Sequence, residues 1–150
     1  MKKINILFVC LGNICRSPMA EFIMKYLVSE DGISDNYFIS SAATSDEEQG
    51  NGMHYGTRRV LTDKGIPFTE HYARKLSKDD YDKYDYIIGM DQNNIRDMLL
   101  FFGGDPKNKI SLLLSFAGEN RSVADPWYTG NFEKTYNDIF IGCKELRKSI

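Results

Sequence analysis

Residues 4–10, Ile-Asn-Ile-Leu-Phe-Val-Cys, form a nearly unbroken apolar run, and within eight residues the chain passes to a helical pattern. A run of that kind is a strand covered on both faces, as in a parallel sheet. Between strand and helix lies "CLGNICRSP", which carries Cys10 and Cys15, two of the three cysteines, and closes on Arg16. The following "SPMAEFIMKYLVSE" sets Ala20, Ile23, Met24, Leu27 and Val28 on one stripe, and Ser17 before Pro18 suits a helix start, with the serine oxygen as cap.

Similar alternation runs through the rest of the chain. Strands are expected at Tyr37–Ala42, Tyr84–Met90 and Lys109–Phe116. Helices are expected at Gly56–Gly65, from Asp91 to Gly103, and over residues 131–150, where Phe132, Tyr136, Ile139, Phe140, Cys143 and Leu146 form the apolar side. Strand and helix in turn predict a parallel sheet with helices on both faces, with ligands bound beyond the carboxyl ends of the strands. The 150 residues, 42% hydrophobic, show no repeat, low-complexity tract or dividing linker, so 1–150 reads as one domain. A net charge of -2, from 19 basic and 21 acidic side chains, gives no reason to expect nucleic acid as a partner. The N-terminal apolar run is too short for a signal peptide or membrane span. The odd cysteine count fits reduced thiols in a cytoplasm.

The loop itself predicts chemistry. Gly12 is expected to permit backbone turns that a side chain would resist. Successive N–H groups of Leu11, Gly12, Asn13, Ile14 and Cys15, with the positive end of the helix, would then cradle a tetrahedral dianion. Arg16 adds a planar fork for two phosphate oxygens. Such a field favours a thiolate at the floor of the cradle, so Cys10 is the expected nucleophile, attacking phosphorus to give a phosphocysteine. Cys15 stands where it could trap an oxidised Cys10 as a disulfide. A metal site is not expected, because His54 and His71 are the only histidines and no second cysteine pair lies near. Taken singly, each residue has a plainer reading: a buried thiol, a surface charge, an Asp-Pro turn.

"VCLGNICRSPMAE" closely resembles the active-site loop of the low-molecular-weight protein tyrosine phosphatases. The similarity continues through "SSAATS", "GIPFTEHYARKLSKDDYDKYDYIIGMD" and "DPWYTG". The resemblance implies a flavodoxin-like three-layer fold, a four-stranded parallel sheet flanked by helices, and no metal or cofactor. It implies Cys10 as nucleophile, Arg16 as phosphate clamp and Asp125 as general acid, with Asn13, Ser17 and Ser41 in support and His71 supporting Asn13. An acid over the bridging oxygen is what a poor phenolate leaving group requires, and Pro126 restricts Asp125 to extended backbone. Trp127 and Tyr128 are expected to flank an aryl ring. Where eukaryotic members carry an aromatic residue, this chain has Asp46, Glu47 and Glu48, which would disfavour acidic segments. Relatives that accept phosphoarginine have threonine in place of Ile14.

The expected function is therefore hydrolysis of phosphotyrosine and aryl phosphate monoesters. The expected partners are a tyrosine-phosphorylated protein or peptide and inorganic phosphate as product, without membrane, by a monomer capable of weak self-association. Two alternatives stand beside it. A thiol redox enzyme of the arsenate reductase type would need two further cysteines, and only Cys143 is available. A non-catalytic phosphate-binding module would need neither the thiol nor Asp125.

Overall fold

The computed structural model describes residues 2–150. Four strands form one all-parallel sheet: β1 (Ile4–Cys10), β2 (Tyr37–Ala43), β3 (Tyr86–Gly89) and β4 (Ile110–Leu112), in the spatial order β2-β1-β3-β4. Central β1 is buried on both faces, as its apolar run requires. Ile6, Phe8 and Cys10 pack into one core, and Leu7 and Val9 into the other. The first core holds α1 (Arg16–Glu30) and α6 (Phe132–Ser149), and the second takes Met98 of α4 (Gln92–Phe102) with Leu76 and Tyr84. Helix α2 (Tyr55–Asp63) adds Val60 and Leu61 to the first core. This is the expected flavodoxin-like three-layer fold. Strand order reverses between β1 and β3, so the crevice that such sheets use for ligands opens at the carboxyl end of β1, at Cys10.

Local departures from the sequence pattern have physical causes. Helix α1 is buried nearly all round, with Met19 and Phe22 enclosed as well as the expected stripe, because it lies between the sheet and α6. The expected strand Lys109–Phe116 is paired only over Ile110–Leu112 and then turns into a 3-10 helix, Leu113–Ala117. Ser115 Oγ donates to the Leu112 carbonyl at 2.6 Å and Gly118 turns left-handed, so the chain leaves the sheet while Leu113 and Leu114 stay buried. An apolar run reports burial and cannot by itself separate strand from turn. The one-turn helices α3 (Asp80–Lys83) and α5 (Pro126–Thr129) fall in segments that carry no periodicity of their own. Among the described residues no helix is long and apolar enough to cross a membrane.

One very close contact is at Gly142 of α6, where an added Cβ would lie 2.5 Å from Leu113 Cγ. Alanine gains about 1 kcal/mol in helix propensity, but overpacking a filled core costs about 1–3 kcal/mol. Gly142→Ala is therefore expected to lower the urea midpoint, with the denaturant slope unchanged. A raised midpoint would show that the α6 interface is loose.

Candidate active site

Two ladders tie the loop after β1 to the segment after β2: Thr44 N–H donates to the Cys10 carbonyl and Ser45 N–H to that of Leu11, both at 3.0 Å. The chain then reverses at Asn13, whose φ of 60° is left-handed. Gly12 has an ordinary negative φ, so its expected conformational role passes to Asn13. Its small size serves space instead, since an added Cβ would stand 3.3 Å from Glu48 Cγ. The reversal points N–H groups inward. Asn13 N–H and Ser17 N–H each lie 3.3 Å from Cys10 Sγ, and Ser17 Oγ lies 3.0 Å from it.

Ser17 does not cap α1, contrary to the sequence expectation. The helix begins at Arg16, Cys15 occupies the cap position without a side-chain hydrogen bond, and Ser17 turns inward beneath the sulfur. The first N–H groups of the helix are thus left open to an anion. Ser17, Ser41 and His71 stand behind the loop. Asn13 Nδ2 donates to Ser17 Oγ at 2.7 Å and to Ser41 Oγ at 3.0 Å, and His71 Nε2 meets the Asn13 carbonyl at 2.9 Å.

Arg16 is only 3% exposed. Its Nη1 pairs with Asp91 at 2.9 Å and donates to the Val123 carbonyl at 3.2 Å, and its Nη2 lies 3.3 Å from Asp125 Oδ2. Burial works against the charge, but Cys10, Asp125 and Asp91 outweigh it and hold the guanidinium above its ordinary value. Asp91 also caps α4, accepting from Asn94 N–H at 2.8 Å. The sequence shows Asp91 only as the start of a helix; the available signal was its place just beyond the carboxyl end of β3. Asp125 is extended, as the following proline dictates, and caps α5 by accepting from Trp127 N–H at 3.0 Å. Val123 N–H donates to the Met90 carbonyl at 2.9 Å, and Ala124 N–H to Asp138 at 3.1 Å, anchoring the segment before Asp125 to the end of β3 and to α6.

These parts enclose a cleft of about 310 Å³. The Cys10–Arg16 loop forms its floor, Ser45, Glu47 and Glu48 one wall, and Asp125, Trp127 and Tyr128 the other. Asp46 of the acidic run does not line it. Trp127 is 67% and Tyr128 84% exposed, so both rings are available to a ligand. His54, which sequence reasoning left without a role, meets Trp127 edge to face at 6.4 Å between centroids and stacks on Tyr55 and Phe132. Among the described residues no cluster of three or more His, Cys, Asp or Glu could hold a metal.

The three thiols are unequal. Cys15 is pushed up to about 12 by burial, and then by Cys10 and Asp125. Burial alone pushes Cys143 up as well, deep beside the Ala20 carbonyl. A thiol held protonated is a slow partner for an oxidised neighbour. Iodoacetate at neutral pH is accordingly expected to modify one thiol of the folded chain, Cys10, with protection by inorganic phosphate. Intact-mass and peptide analysis showing equal labelling of Cys15 would contradict the assignment.

Known proteins supply an independent comparison. Residues 5–150 match the family described as low molecular weight phosphotyrosine protein phosphatase. The low molecular weight protein-tyrosine-phosphatase YfkJ of Bacillus subtilis is 42% identical over 149 residues, 98% of this chain and 96% of that one. Its crystal structure superposes with a TM-score of 0.96 at 41% identity, covering 100% of this chain and 96% of that chain. The low molecular weight protein tyrosine phosphatase SP-PTP from Streptococcus pyogenes gives a TM-score of 0.89 at 41% identity, covering 100% and 93%.

Proposed function

This chain belongs to the low molecular weight phosphotyrosine protein phosphatase family, and we propose that Cys10, Arg16 and Asp125 carry its protein tyrosine phosphatase reaction. The observation that carries the assignment is a single cleft in which Cys10 Sγ faces two loop amides at 3.3 Å while Arg16 and Asp125 meet beside it.

A phosphotyrosine dianion enters between Trp127, Tyr128 and the Glu47–Glu48 wall, and its oxygens take the open N–H groups of the loop and the Arg16 fork. Arg16 turns to phosphate and loosens its hold on Asp125. Cys10 sulfur attacks phosphorus in line, the bond to the phenolic oxygen breaks, and Asp125 gives that oxygen a proton. Water then attacks the phosphocysteine, Asp125 takes the water proton, and sulfur departs with its electron pair toward the Ser17 hydroxyl. Inorganic phosphate is released. One chain supplies every group, so the site is complete within a monomer. Three unpaired thiols suit a reducing cytoplasm. The arsenate reductase alternative finds no relay, since Cys143 is buried in the core.

A general acid matters most when the leaving oxygen is basic. In Asp125→Ala, kcat/KM with phenyl phosphate or a phosphotyrosine peptide is expected to fall about 10²–10³-fold. With p-nitrophenyl phosphate the loss is expected to be at least tenfold smaller, and Cys10→Ser should lose all turnover while still binding phosphate. Equal losses across leaving groups would remove the acid role from Asp125.

A further inference from the structure

The hydrogen bonds behind the loop continue to a residue that the reaction above does not use. Glu21 lies on α1, one turn after Ser17, and is only 8% exposed. Its Oε1 accepts from Ser41 Oγ at 2.6 Å, and its Oε2 pairs with the Lys25 ammonium at 2.5 Å.

A serine hydroxyl has one proton to give. With that proton on Glu21, Ser41 can only accept from Asn13, so the Asn13 amide must turn its NH₂ toward the serines. The opposite end agrees, because Asn13 Oδ1 accepts the fixed backbone N–H of Arg74 at 3.1 Å. The two amide protons then go to Ser41 Oγ and Ser17 Oγ. With Cys10 as a thiol, its S–H donates to Ser17 Oγ at 3.0 Å and Ser17 Oγ donates to the Ala42 carbonyl at 3.4 Å; as a thiolate the sulfur can only accept, and Ser17 Oγ, already accepting from Asn13, turns its proton to it. With Cys10 as a thiolate, the bonds that start at the Asn13 amide nitrogen run away from it through both serines.

We infer that Glu21 is a positioning residue, which holds the proton of Ser41 off Asn13 and so keeps the hydroxyl of Ser17 directed at the Cys10 sulfur. This rests on the phosphocysteine reading above. The step it serves is the second one: water oxygen bonds to phosphorus, the P–S bond breaks, and sulfur takes the electron pair. A proton aimed at sulfur stabilises that departing pair. The first step depends instead on Arg16, the loop amides and Asp125.

Glu21→Gln keeps the size and inverts the order. The new amide offers its oxygen to Lys25 and its NH₂ to Ser41, which takes away the acceptor of the Ser41 proton and leaves that proton beside the Asn13 NH₂. The test is rapid acid quench with a radiolabelled aryl phosphate, which follows formation and decay of labelled enzyme separately. Phosphocysteine decay is expected to slow about tenfold and formation to change less than about twofold, as for one misdirected hydrogen bond to a charged group. Adding Ser41→Ala removes the opposing hydroxyl while Arg74 still holds the amide, so the double variant should regain decay within about threefold of wild type. A purely structural loss is not repaired by a second deletion. Rate constants per labelled site are independent of the folded fraction, and if the single variant does not accumulate, the double variant alone decides. Formation and decay slowed together, an unchanged decay, or no rescue by Ser41→Ala would overturn the inference. No label on wild-type enzyme would instead overturn the phosphocysteine reading itself.

Discussion

The left-handed turn at Asn13 is the constraint on which the site depends. A non-glycine residue held there costs about 1–2 kcal/mol, although asparagine tolerates it better than most. Four interactions hold it: His71 on its carbonyl, Arg74 N–H on its side-chain oxygen, and two serines on its amide nitrogen. At about 0.5–1.5 kcal/mol net for each hydrogen bond, they offset the strain. The reversal brings the N–H groups of Asn13 and Ser17 to one point, and that point is the sulfur at the end of β1. A relaxed loop would aim them at solvent.

Arg16 adds a second condition. A buried guanidinium is costly unless it is paired and hydrogen-bonded, and here it has Asp91, Asp125 and the Val123 carbonyl. These partners differ in tenure. Asp91 is fixed as the cap of α4, whereas Asp125 contacts the same guanidinium through one oxygen from the exposed side of the cleft. Arrival of phosphate can replace Asp125 as a partner while Asp91 keeps the arginine in place. In the proposed reaction, phosphate binding and the release of Asp125 are thereby linked in one side chain.

Much of this was legible in the sequence, and the reasons differ by residue. β1 is buried from Ile6 to Cys10, so its composition alone declares it; Cys10, Arg16 and Ser17 lie within eight residues of one another and share a local scaffold. Asp125 is marked by the proline that follows it. Asp91 and Glu21 were not legible as site residues, because each already has an adequate local role, one as a helix cap and the other as an i,i+4 partner of Lys25. Their second roles arise only when β3 and β2 lie beside β1. The inward turn of Ser17 was hidden likewise, since a serine before proline has the same pattern whether it caps a helix or faces a buried thiol.

The central claim is that phosphate passes through a covalent bond to Cys10. Acid quench of the enzyme during turnover of a phosphotyrosine peptide, followed by mass spectrometry of the peptides spanning residues 4–25, tests it most directly. A phosphoryl group on Cys10, missing in Cys10→Ser, is the predicted result. Sustained turnover with no phosphorylated residue, or with phosphate on Ser17 or Cys15 instead, would contradict it.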